Sequence, residues 1–171
     1  MSSFDSATAD VHVVLPDGRE VLAGTVTDIP GPQAASHRLS FSYAPSFLAD
    51  PLGYDLSPDM PRMSGPLRSW EGRAELGAIS DAMPDQWGKR IIRAGTTART
   101  RFDYLVHVND ETRHGALRFK ADGDYVGRRT HPVQSVHDLD AIVRAATAFE
   151  DGTESDDDLR ILLHAGTSAG G

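Results

Sequence analysis

Pro84 limits what this chain can fold into more than any other single residue. It follows Met83 and precedes Asp85 inside residues 75–120, the most patterned part of the sequence. Upstream, Leu76, Ile79 and Met83 recur at helical spacing, and downstream Trp87, Ile91 and Ile92 do the same. A third set, Phe102, Leu105 and Val106, follows. Proline lacks an amide hydrogen and its ring clashes with the preceding turn, so no single helix runs through position 84. The residue suits the first turn of a new helix instead. The pattern therefore predicts two or three short helices, broken at 83–84. It closes on a short strand after a turn, Gly115-Ala116-Leu117-Arg118-Phe119. Short helices are stable only when packed, so a sheet is expected beside them.

The residues before this stretch supply strands. Residues 11–15 and 20–26 flank Pro16-Asp17-Gly18, a hairpin signal because Gly18 tolerates positive φ. Residues 28–32 form a second turn, and the stretch 37–43 alternates Leu39, Phe41 and Tyr43 on one face. Together they predict a three-stranded antiparallel meander. Residues 1–10 are small and polar and read as a disordered tail. Residues 44–66 are rich in Pro, Gly, Ser and Asp, with Phe47 and Leu48 as a packing anchor. After Phe119, Ala121-Asp122-Gly123-Asp124 predicts a tight turn into a partner strand at Tyr125-Val126. Ser135 caps a predicted helix whose apolar face is Val136, Leu139, Ile142, Val143 and Ala146. Ser155 caps the last one, with Asp156, Asp157 and Asp158 in its first turn and Leu159, Ile161, Leu162 and Leu163 inward.

Composition removes several function classes. The 171 residues are 39% apolar, enough for a real core, and carry a net charge of −8. That balance argues against a bulk electrostatic grip on nucleic acid. There is no cysteine, so disulfides and thiolate metal sites are excluded, in keeping with a reducing compartment. With neither a signal-peptide pattern nor a long apolar run, a soluble, cytoplasmic protein with no membrane contact is expected. The seven histidines include no pair at i,i+4 and no Glu-x-x-His frame, so no metal site is expected. The Asp156–Asp158 triplet reads as helix-start carboxylates, and Asp103, Asp110 and Glu111 as a helix start and a turn. Lys89, Arg90, Arg93, Arg99 and Arg101 form a basic patch that reads as a solvated face opposite Ile91 and Ile92. Trp70 and Trp87 read as core anchors.

The ordered string PDQWGKRII … FDYLVHVND … GALRF resembles the N-terminal subdomain of HipA-family serine/threonine kinases, the toxin halves of type II toxin–antitoxin pairs. The likeness runs from about Val11 to Gly171. It implies an α+β fold: an N-terminal antiparallel sheet with short packed helices, then two helices entering an incomplete HipA-like kinase lobe. The implied divisions are residues 1–10 as tail, 11–126 as N-terminal subdomain and 127–171 as the start of the kinase core. Relatives also have a Trp where this chain has Phe47, and strand character near Tyr54 to Leu56.

The sequence ends His164-Ala165-Gly166-Thr167-Ser168-Ala169-Gly170-Gly171. On composition alone this is a disordered tail. The Gly-x-x-x-x-Gly spacing of a P-loop is also present, although a helix rather than a strand precedes it. The resemblance implies a third reading: Ser168, Ala169, Gly170 and Gly171 begin the phosphate-cradling loop. Backbone N–H groups there approach phosphate oxygens closely. Ser168 then matches the family's autophosphorylated serine, with Thr167 a weaker candidate. In the family the lysine, the catalytic aspartate and the Mg²⁺ ligands follow this loop. The chain alone is thus expected to be inactive, with ATP and Mg²⁺ belonging only to an intact kinase. The partners implied are a HipB-like helix-turn-helix antitoxin, the remainder of a HipA-like kinase and a protein substrate, an aminoacyl-tRNA synthetase. The alternative is an antitoxin-like binding module that docks on a separate HipA-like kinase.

Overall fold

A hairpin starts the structure. Gly18, at φ 86°, lets the chain reverse between β1 (Thr8–Val14) and β2 (Glu20–Ile29), and the Leu15 N–H donates to the Arg19 carbonyl at 2.8 Å. The computed structural model describes residues 7–69, 76–126 and 139–166. Strand β3 (Arg38–Tyr43) adds to β2, completing the expected meander. β1 begins at Thr8 rather than near Val11, because Ala9 is buried and pairs with Val26. The last three residues of the expected tail thus belong to the sheet.

The whole sheet is antiparallel, six strands in the order β4-β3-β2-β1-β5-β6, with β4 at Pro66–Arg68, β5 at Arg118–Ala121 and β6 at Asp124–Tyr125. β4 and β5 are far apart in that order, so the chain between them must cross the sheet, and its helices cover one face. The fold class is α+β, as the sequence predicts.

Two local expectations are corrected. Residues 54–56 form no strand; the strand of that region is β4, whose Pro66 sits at its first position on the sheet edge, where a missing donor is tolerated. The intervening chain instead wraps around Arg62, whose guanidinium donates to the carbonyls of Phe47, Leu48, Asp50 and Gly53 at 2.6–3.2 Å. Phe47 is the buried anchor expected of it, but it sits on a short helix, α1 (Pro45–Ala49), that the loop-like composition hid.

The break at 83–84 is real: α2 (Gly77–Asp81) ends before it and α3 (Gln86–Gly95) starts after it. Pro84 lies one residue ahead of the N-cap rather than in the first turn. Asp85 takes the cap, its carboxylate accepting the Gly88 N–H at 2.7 Å. In α4 (Arg101–His107), Thr100 and Asp103 exchange hydrogen bonds in a capping box, the helix-start role expected of Asp103. Strand β5 starts at Arg118, three residues later than the glycine turn suggests.

The apolar residues form two clusters. In the first, Val11, Val13, Val26, Leu39, Phe41 and Phe119 of the sheet meet Ile79, Phe102 and Leu105 of the helices. The second is helical and contains Ile91, Ile92, Ala98, Val108, Ala145, Phe149, Leu162 and Leu163, bringing α5 (Leu139–Asp151) and α6 (Asp156–Ala165) onto α3. This cluster joins α3, Ala98 and Val108 to α5 and α6, on both sides of the expected boundary near Gly127. Ser135 and Gly127 themselves lie outside the described residues. The buried stripe of α5 is also rotated from the expected one. Ala145 and Phe149 are buried, whereas Leu139 and Val143 are 58% and 56% exposed. Phe149 sets the phase by meeting the Trp87 ring edge-to-face at 6.3 Å.

Candidate functional site

The turn from Asn109 to Gly115 is where the sheet, the crossing helices and α6 converge. Asn109, Asp110 and Arg113 are buried there despite the polar sequence around them. The Asp110 N–H donates to the Val126 carbonyl at 3.2 Å, and its carboxylate accepts the Phe119 N–H at 3.4 Å. Arg118 lies 3.3 Å from the same carboxylate and also donates to the Asp110 carbonyl. One acid thereby ties the turn to β5 and β6.

Arg113 ties it to the helices. Nη1 donates to the Ala82 carbonyl at 2.8 Å, and Nη2 to Leu105 and Val108 at 2.8 and 3.1 Å. These carbonyls lie at the C-terminal ends of α2 and α4, where no further helical N–H exists to satisfy them. The guanidinium also stacks 4.6 Å from the Phe119 ring, and Nε lies 3.6 Å from Asp110. Burial lowers the Arg113 pKa to about 10, with the Asp110 carboxylate opposing that shift, so the side chain stays charged at neutral pH.

The far end of α6 reaches the same turn. Its start is fixed by a capping box between Ser155 and Asp158, and Leu162 and Leu163 are buried against α3. Gly166 follows at φ 124°, so close to Thr112 that a Cβ at Gly166 would lie 3.4 Å from the Thr112 Cβ. A cleft opens next to this contact, lined by residues 81–85 of the α2–α3 corner and 112–114 of the turn. Thr167, Ser168, Ala169, Gly170 and Gly171 themselves lie outside the described residues.

What the described side chains can do chemically is limited. Nη1 and Nη2 of Arg113 are used by carbonyls, while its buried Nε has no hydrogen-bond partner and faces Asp110, which is held by Arg118, Arg113 and a backbone N–H. Among the described residues no three His, Asp or Glu side chains come together as metal ligands. Asp158 serves the α6 cap and Asp157 faces Arg160 at 3.0 Å. His107 and His164 each direct Nδ1 at a backbone carbonyl one turn earlier, and His37 pairs with the buried Asp28 at 2.7 Å. His131, His137 and Trp70 lie outside the described residues. Trp87 is half-buried against Phe149. Arg90 and Arg93 are exposed while Ile91 and Ile92 are buried, which is the solvated basic face expected.

Sequence reasoning did not single out Arg113. Its partners are carbonyls from three separate segments, and a carbonyl leaves no trace in residue type.

The described residues define an α+β domain in which a buried Asp–Arg clasp joins sheet and helices and seats the end of α6. No family model matches this chain, and no curated protein matches it. Among the described residues no helix is long and apolar enough to cross a membrane.

Proposed function

We propose that this chain is the N-terminal part of a HipA-like serine/threonine kinase of a type II toxin–antitoxin pair. In this reading Ser168 to Gly171 open the phosphate-binding loop and Ser168 is the phosphorylated residue. ATP and Mg²⁺ are bound only by the intact kinase, whose substrate is a protein serine and whose effect is to halt translation. One observation carries the reading. The string that resembles the family supplies the helix starts and the clasp of this layer: Asp85 caps α3, Asp103 closes the α4 box, and Asp110 with Arg118 ties the turn to β5, beside Thr112, against which Gly166 lies. In this reading a glycine-rich loop starts beside that clasp, and catalysis by positioning requires such a held starting point.

The test joins residues 1–171 in frame to the catalytic portion of a HipA-type kinase from which the equivalent part has been removed. Radiolabel from γ-labelled ATP is expected on Ser168 of the joined protein, absent after Ser168→Ala and absent from residues 1–171 alone. A folded fusion that takes up no label defeats the proposal. Turnover by residues 1–171 alone defeats the claim that the catalytic set lies elsewhere.

A second reading, an antitoxin-like module docking on a separate HipA-like kinase, draws on the exposed Leu139 and Val143 of α5. It requires that the isolated chain bind such a kinase and inhibit it, which a pull-down and a phosphorylation assay decide.

A further inference from the structure

The side chain of Glu20 ties strands that are not neighbours in the sheet. β1 lies between β2 and β5, yet Glu20 of β2 accepts hydrogen bonds from the Lys120 ammonium of β5, at 3.3 Å, and from the Tyr125 hydroxyl of β6. Lys120 also lies 4.5 Å from the Tyr125 ring. The carboxylate meets both on the sheet face opposite Val11 and Val13, where β1 presents Asp10, His12 and Val14. His12 sits beneath the crossing. Its Nδ1 is 3.5 Å from the same Glu20 oxygen and is buried without a hydrogen-bond partner. Three groups thus crowd one carboxylate oxygen, and two of them hold it.

The charged neighbours of His12 on the described strands are Asp10, Glu20, Arg118 and Lys120, with the Tyr125 hydroxyl beyond. Asp10 accepts from the Thr25 hydroxyl at 3.3 Å, and Arg118, the register partner of His12, turns to Asp110 at 3.3 Å. Burial, then Lys120, hold the His12 pKa below 6.5 against Glu20 and Asp10. The Tyr125 hydrogen bond holds Glu20 below the usual carboxylate range, so Glu20 is charged wherever His12 titrates. We propose that Glu20 is a two-position strap: beside neutral His12 it ties down Lys120 and Tyr125, and beside protonated His12 it turns to the imidazolium and loosens β6. A proton shifts such an equilibrium only when one state binds it better. In the strapped state the Lys120 ammonium faces the site and shares the Glu20 charge. In the loosened state Glu20 serves His12 alone and Lys120 turns to solvent, so that state binds the proton more tightly. β6 pairs with β5 through Lys120–Tyr125 and Ala121–Asp124 alone, and so short a strand leans on its side-chain contacts. Loosening it uncovers the backbone groups of β5, an edge to which another strand can pair. The proposal is independent of the kinase reading.

Nuclear magnetic resonance of the full chain, with histidine and tyrosine rings labelled, tests it between about pH 7.5 and about pH 5, the range in which imidazoles titrate. The Tyr125 ring resonance is expected to move with the same midpoint as the His12 imidazole, below pH 6.5. The protection factor of the Val126 amide, which donates to the Phe119 carbonyl at 2.9 Å, is expected to fall over the same interval. His12→Asn is expected to hold both constant, and Glu20→Ala to show the low protection at every pH, each with unchanged far-UV circular dichroism. A Tyr125 ring and a Val126 amide that ignore the His12 titration, a transition that survives His12→Asn, or full protection in Glu20→Ala overturns the proposal.

Discussion

Arg113 concentrates much of the fold's dependence in one side chain. It is fully buried, charged, and the donor to three carbonyls that no helix satisfies. Arg113→Ala leaves those carbonyls without their donor and Asp110 with Arg118 alone, and a loss of about 3–5 kcal/mol is expected from urea unfolding at neutral pH. Arg113→Lys keeps the charge but not the planar fork, so an intermediate loss is expected. A loss under about 1 kcal/mol for Arg113→Ala would mean that water reaches the carbonyls. His12 gives the pH dependence at this scale. Burial, and secondarily Lys120, lower its pKa below 6.5, while Glu20 and Asp10 pull the other way. The folded state therefore takes up its proton later than the unfolded chain. The contribution of His12 to stability is complete above pH 6.5 and declines as pH falls from there through the folded pKa. Stability followed against pH is expected to fall less steeply in His12→Asn, and identical slopes would remove His12 as a cause. Neither residue was legible beforehand: both depend on burial by segments remote in sequence, whereas Ile91 and Leu105 were readable from apolar spacing and Phe47 as an apolar anchor in a polar stretch.

The start of α6 was the most legible feature of the elements, because a cap is a local contract between residues three apart and Ser155 announces it. Asp103 read only as near a helix start, and Thr100 and Asp85 did not read as caps. Thr100 with Asp103 and Ser155 with Asp158 both form the reciprocal box, and Asp85 caps α3. Replacing Asp85, Thr100 or Ser155 by Ala is expected to cost about 1 kcal/mol each in unfolding experiments. Burial pushes Asp103 up, but hydrogen bonds from the Thr100 and Arg99 N–H groups and the Thr100 hydroxyl outweigh it and hold the pKa below 3.8. A carboxylate lowered on folding stabilises above its unfolded value and loses that effect as pH falls through the folded value. Acid titration monitored by helical circular dichroism is therefore expected to show a loss below about pH 4, smaller in Asp103→Asn. Element faces were less legible than the α6 start. The residues of α5 offer two apolar stripes, and sequence favoured the one with Leu139 and Val143. The choice falls to Phe149 because Trp87 and Arg90 of α3 hold its ring from two sides. That partner lies more than fifty residues away, beyond any local pattern.

At the scale of the molecule, the question is whether two apolar clusters make one cooperative unit. The antiparallel sheet and its covering helices were legible from alternation and turn chemistry, but the division of the helices was not. α3 reads as part of the stretch that crosses the sheet, yet its apolar face belongs with α5 and α6. Among the described residues α4 is the helix that serves both clusters, giving Phe102 and Leu105 to the first and packing Tyr104 against the second. The Arg113 clasp then fastens the end of α4 to α2 and the sheet. Leu162→Ala tests how tightly this joint couples the halves. Leu162 is fully buried in the helical cluster, and its truncation is expected to destabilise by about 2–5 kcal/mol. Hydrogen exchange then separates two outcomes. If the joint is the weaker link, amides of α3, α5 and α6 lose protection while those of β1, β2 and β3 keep it, the mark of sub-global opening. We expect this pattern, because one short helix and one guanidinium carry the connection while each cluster closes on itself. Equal loss of protection in the sheet would instead make the clasp strong enough to unite both clusters into a single folding unit.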